Sequence, residues 1–184
     1  APTFVEALPA DVTVECSAVP TAPTLTAIDS CGTATVTLNT VTNPGNCPGN
    51  YTLINTWTAT DASGNTVTHV QTINVQDTMA PTFVETLPTD VTAECSAVPT
   101  PATLTATDNC GTATVTFAET TAAGTCAGSY ILTRTWTATD LCGSTTVHVQ
   151  TITVQDTTAP TFVETLPTDV TVSCGSVPTA VTLT

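Results

Sequence analysis

The chain has no lysine and a single arginine, Arg134, against fifteen acidic residues, for a net charge of −14. A surface this poor in cations cannot neutralise phosphates, which excludes nucleic acid and anionic membranes as partners. Charge of either sign is scarce as well: 9% of residues are charged, where soluble domains carry about 25%. Aromatic residues make up only 4%, too few to spread stacking platforms over a sugar-binding surface. No run approaches the roughly 20 apolar residues that would insert in a membrane as a helix, and none reads as a signal peptide. What the chain has instead is threonine, 49 of 184 residues, so solubility rests on hydroxyl groups.

The threonines belong to a repeat. Ala1-Pro2-Thr3-Phe4-Val5-Glu6 returns at Ala80 and again at Ala159, a period of 79 residues. This divides the chain into residues 1–79, 80–158 and a third, partial copy at 159–184. The first two copies share 53 identical positions. Such a period is too long for a solenoid rung and suits a small domain. The chain therefore reads as part of a longer tandem array, whose partners are further copies of the same repeat.

Each copy reads as all-β. Segments such as Thr103 to Thr107, Tyr130 to Ala138 and Val147 to Val154 alternate apolar residues with threonine, the pattern of half-buried strands with a wet threonine face. Turn signals separate them, at Val98 to Pro101, Asp108 to Gly111, Gly124 to Gly128 and Asp140 to Gly143. About seven short strands per copy point to tandem immunoglobulin-like β-sandwiches arranged end to end. Trp57 and Trp136 are the largest core candidates. The apolar positions of the last strand slip between Val70 and Ile73, which predicts a β-bulge near Gln71.

Eight cysteines without metal-type spacing predict disulfides and an oxidising compartment. Strand direction places Cys16 and Cys47 at one end of the first copy, as it places Cys95 and Cys126 in the second. Cys110 and Cys142 lie at the opposite end of the second copy. The expected bridges are then Cys16–Cys47, Cys95–Cys126 and Cys110–Cys142. The first copy has Ser63 in place of the last cysteine, so Cys31 is expected to be unpaired, as is Cys174.

No catalytic residues are expected. His69 and His148 are equivalent mid-strand residues, and no nucleophile elbow or phosphate-binding loop is present. No cofactor is called for, with one reservation. Chaining the copies would bring Asp77 at their junction toward Asp108 and Asp140 in the turns of the next copy, three oxygen ligands that could hold calcium. Against this, Asp at the start of a turn ordinarily accepts hydrogen bonds from its own backbone, and that reading is preferred.

The segments "VQDTTAPTFVETLPTDVTVSC", "TATDNCGTATVTF" and "YILTRTWTATDLCGSTTVHVQTITVQD" resemble the hyalin-type (HYR-like) immunoglobulin-like repeats. They most resemble the form found in giant surface adhesins of Bacteroidota, gliding-motility adhesins exported by type IX secretion among them. The resemblance implies an extracellular, cell-surface filament whose repeats form the shaft. It also implies O-glycosylation at Asp-Ser/Thr sites, for which Thr78 and Thr157 qualify. Two other readings stay open: a module that grips surface polysaccharide or solid surfaces, and a static sheath or surface-layer component.

Overall fold

The computed structural model describes residues 1–126 and 128–184; Ala127, in the turn before Tyr130, lies outside the described residues. Among the described residues the chain is all-β, with one 3-10 turn at Cys16–Ala18. The first repeat holds β1 (Thr3–Phe4), β2 (Val12–Glu15), β3 (Ala27–Asp29), β4 (Gly32–Pro44), β5 (Tyr51–Asp61) and β6 (Thr66–Gln76). The second holds β7 (Thr82–Phe83), β8 (Val91–Glu94), β9 (Ala106–Thr107), β10 (Thr114–Ala123), β11 (Tyr130–Thr139) and β12 (Thr145–Gln155). Residues 159–184 add no strand.

In each repeat three long antiparallel strands form the frame, β4-β5-β6 and β10-β11-β12, with β2 or β8 added in parallel to the last. Parallel addition requires a long crossover, supplied by the rest of the repeat. Six strands form per repeat where seven were expected. The stretches 16–26 and 95–105 run without a ladder because prolines at 20, 23, 99 and 101 lack the N–H a ladder needs. They are pinned to the sheet by side chains instead. Trp57 Nε1 donates to the Pro23 carbonyl at 3.1 Å and Trp136 Nε1 to that of Ala102 at 3.0 Å.

The inner face of the sheet is the core. Trp57, Ala59, Ile73 and Val75 are buried in the first repeat, and Trp136, Ala138, Ile152 and Val154 in the second. Threonines fill the alternate positions of β5 and β11, half-exposed on the other face. The expected bulge at Gln71 is absent: β5 and β6 pair in unbroken register, with Asn55 opposite Gln71. Gln71 itself is the inward residue and Val70, half exposed, points out. A buried amide takes the place of an apolar side chain because its hydrogen bonds are met. Gln71 Nε2 donates to the Ala10 carbonyl at 2.9 Å, and its Oε1 accepts from Asn55 Nδ2 at 3.3 Å. His69 also faces inward, with its ring nitrogen 2.8 Å from the Pro9 carbonyl and the ring tilted against Trp57. His148 repeats this on Pro88 and Trp136.

The same position in the two repeats is solved by different chemistry at one point. Asn55 in the first corresponds to Arg134 in the second, and both are 3% exposed. Asn55 accepts from Thr40 Oγ1 at 2.7 Å. Arg134 Nε donates to Glu119, the counterpart of Thr40, at 2.8 Å, and its Nη2 to the Pro99 carbonyl at 2.8 Å. The only basic side chain of the protein is thus spent inside a repeat, and the acidic surface is unrelieved.

Candidate functional site

The junction between the repeats is where the chemistry gathers. Two disulfides cross it: Cys16–Cys110 and Cys47–Cys142, with Cα atoms 5.6 and 5.2 Å apart. The expected pairs Cys16–Cys47, Cys95–Cys126 and Cys110–Cys142 are therefore corrected. Strand direction had put the right cysteines at the right ends. The partner of each, however, lies in the other repeat and not beside it. Cys95 and Cys126 carry free thiols, as do Cys31 and Cys174. All four are exposed.

Around the bridges the contact is close and polar. Glu15, which ends β2, accepts from the Thr78 amide at 3.1 Å and from the Thr78 hydroxyl, and Asn109 Nδ2 of the second repeat lies 3.4 Å from it. These bonds hold the Glu15 carboxyl below its ordinary pKa, the Thr78 hydroxyl contributing most. Thr157 makes the same pair of bonds to Glu94 one repeat later. Thr78 and Thr157 are exposed, with hydroxyls engaged in these bonds. The Asp77 amide donates to Asn50 Oδ1 at 2.7 Å. Gly49 lies so near that a Cβ there would stand 2.8 Å from that of Asp77 and 3.2 Å from the Cys142 sulfur. Only glycine fits.

Asp77, Asp108 and Asp140 meet at this junction. Both turn aspartates do bond their own backbones: Asp108 Oδ1 accepts from the Cys110 amide at 2.7 Å, and Asp140 Oδ1 from the amides of Cys142 and Ser144 at 2.8 and 2.9 Å. Each, however, uses one oxygen. The other oxygens, Asp108 Oδ2 and Asp140 Oδ2, together with Asp77 Oδ1, are buried without a hydrogen-bond partner. Carboxylate oxygens of Asp77 and Asp108 lie within 4.8 Å of one another. Burial, and then the charges of Asp108 and Asp140, push the Asp77 carboxyl above its ordinary pKa. For Asp140, burial opposes ionisation, but the Ser144 and Cys142 amides outweigh it and hold the group below its ordinary value. Sequence reasoning had named these three residues; it had missed that one carboxylate can cap a turn and still present a free oxygen.

Residues 4–75 match the family described as "HYR-like domain with 4 cysteines". In this HYR-like stretch the cysteines are Cys16, Cys31 and Cys47, with Ser63 at the fourth position. No curated protein matches the chain. Among solved structures, Drosophila N-cadherin EC1-4 is similar at 15% identity and a TM-score of 0.35, over 85% of this chain and 50% of that one. Human mucin-like protocadherin EC1-2 is similar at 14% and 0.32, over 85% and 98%. This chain thus spans half the length of the N-cadherin fragment, and likenesses this distant carry no argument about it. Among the described residues, no helix is long and apolar enough to cross a membrane.

Proposed function

We propose that the chain is a shaft segment of an extracellular surface filament, built of immunoglobulin-like HYR-like repeats joined end to end. The observation that carries this reading is the pair of disulfides crossing the junction. A bridge inside a repeat stabilises that repeat, whereas a bridge between repeats fixes their relative position. Two such bridges at different points on the end face, together with the peptide link, leave little freedom to bend or twist. That is a requirement of a shaft and of no catalyst. Disulfides also belong to oxidising compartments, in keeping with an extracellular location.

The same rule applied one repeat on gives Cys95 and Cys126 their role. They occupy the positions of Cys16 and Cys47 and are exposed thiols, ready for the cysteines of a following repeat. Cys31 stands in the same way toward a preceding one, where Ser63 leaves a single bridge. The resemblance to Bacteroidota adhesins makes the filament a bacterial one carrying an adhesive end, with gliding as one use. It also makes Thr78 and Thr157 acceptors for O-glycans; an intact mass equal to the bare polypeptide in native material removes that part. Binding of polysaccharide by the repeats themselves is disfavoured because Trp57 and Trp136 are each 1% exposed.

Small-angle scattering of the oxidised and reduced chain tests the shaft reading. The oxidised chain should scatter as one stiff rod, and reduction should broaden its distance distribution as the junction loosens. An unchanged distribution, or peptide mapping that returns Cys16–Cys47, overturns the reading.

A further inference from the structure

We propose that Asp77, Asp108 and Asp140 form a divalent-cation site, fitted to calcium, that bridges the two repeats. Two observations lead there. The first is the set of orphaned oxygens: Asp140 is 7% exposed, and its Oδ2 is buried and unpartnered together with Asp108 Oδ2 and Asp77 Oδ1. Buried carboxylates are paired or bound to metal, since leaving them bare is too costly. The second is that this chain has nothing of its own to pair them with. It has no lysine, Arg134 is held by Glu119 and Pro99, and the two histidine rings contact Pro9 and Pro88.

Asp29 and Asp61 are the counterparts of Asp108 and Asp140 in the first repeat. Hard oxygen donors select calcium or magnesium over softer metals. Oxygens of Asp77 and Asp108 lie within 4.8 Å of each other and can share one calcium at its usual distance of about 2.4 Å, with Asp140 close enough for its charge to act on Asp77. Carboxylates fixed by two turns and a linker suit calcium's tolerant geometry better than magnesium's strict octahedron. The sulfurs of Cys16 and Cys110 nearby are joined to each other and supply no ligand.

The site is distinct from the staples, and it does not depend on what a filament would adhere to. Calorimetric titration of the oxidised, chelator-treated chain with calcium chloride tests it. One site per chain is expected, with a Kd of about 10⁻⁴ to 10⁻³ M as in extracellular modules, and magnesium at least tenfold weaker. Asp77→Asn and Asp108→Asn keep an acceptor oxygen but remove charge, and each should weaken calcium at least tenfold; Asp29→Asn should not. In parallel, 10 mM calcium should raise the melting temperature of the parent by a few degrees and leave Asp108→Asn unmoved. Retention of both disulfides by peptide mapping shows that the variants are folded. No heat at 10 mM calcium, or undiminished binding in both variants, overturns the proposal.

Discussion

The two repeats differ at 26 of their 79 positions, and the differences that matter fall into two places. Inside the sheet, the first repeat satisfies a buried site with the neutral Thr40–Asn55–Gln71 chain, while the second uses the ion pair Glu119–Arg134. At the turn end, the second repeat is bolted to its neighbour through Cys110 and Cys142, while the first presents Cys31 and Ser63. The interior change is self-contained, because donor and acceptor were exchanged together. The change at the end is not: losing one cysteine alters what a neighbour can do. The lesson is that identity in the core preserves the repeat, whereas identity at the ends preserves the array.

The largest effect should come from what the repeats share. Trp57→Ala and Trp136→Ala should each cost about 3–5 kcal/mol in chemical denaturation, since both rings are buried and both lose an indole hydrogen bond. A difference of more than about 2 kcal/mol between them would break the equivalence of the two cores. Next comes the ion pair. Arg134→Ala should cost about 2–4 kcal/mol by stranding Glu119, which is 38% exposed and can partly rehydrate. Asn55→Ala should cost about 1–3 kcal/mol. The comparison is sharpened by the graft Glu119→Thr with Arg134→Asn, which should recover most of the loss of Arg134→Ala; failure to do so means the sites are not interchangeable.

The smallest effect depends on acid. Glu6 and Glu85 each accept from the amide and hydroxyl of a threonine, Thr26 or Thr105, and these bonds hold both carboxyls below their ordinary pKa. A lowered folded-state pKa means stability that is present above the unfolded value, about 4.3 for glutamate, and lost as pH falls through the folded one. Glu85→Gln should therefore differ from the parent in thermal melts at neutral pH and converge with it in acid, and Glu6→Gln should do the same. A gap that persists at pH 2 would mean that lost packing, and not charge, is being measured.

The long strands and the tryptophan core were legible because alternation has a period of two and each signal appears twice, whereas the strand expected at Thr103 to Thr107 forms only at Ala106–Thr107. Gln71 was misread as a bulge because a buried amide looks like a break in an apolar pattern until its partners, the Ala10 carbonyl and Asn55, are seen. The cysteines were read to the correct ends and then paired within a repeat. Direction along a strand says which end a residue occupies, but not whether its partner lies beside it or across the gap. The period itself held the missing signal, since the cysteines at the far end of one copy face those at the near end of the next. Asp77, Asp108 and Asp140 could be named but not weighed, because the number of free oxygens left after turn capping is a property of three dimensions.

The crossed bridges also set how far the protein can be drawn out. Along the backbone, Cys16 and Cys142 are separated by about 126 residues, roughly 430 Å when fully extended. Through the bridges, two shorter covalent routes take only about 31 residues, by way of Cys47, and about 32, by way of Cys110, each roughly 110 Å. A pull applied between those points would meet covalent bonds after a quarter of the nominal travel, with the stretch from Cys47 to Cys110, about half of the intervening chain, carrying no load. The sheets in that shielded length could loosen and reform under tension without the ends drifting apart. In this way the two bridges act as a stop that limits how far the repeats can be drawn apart.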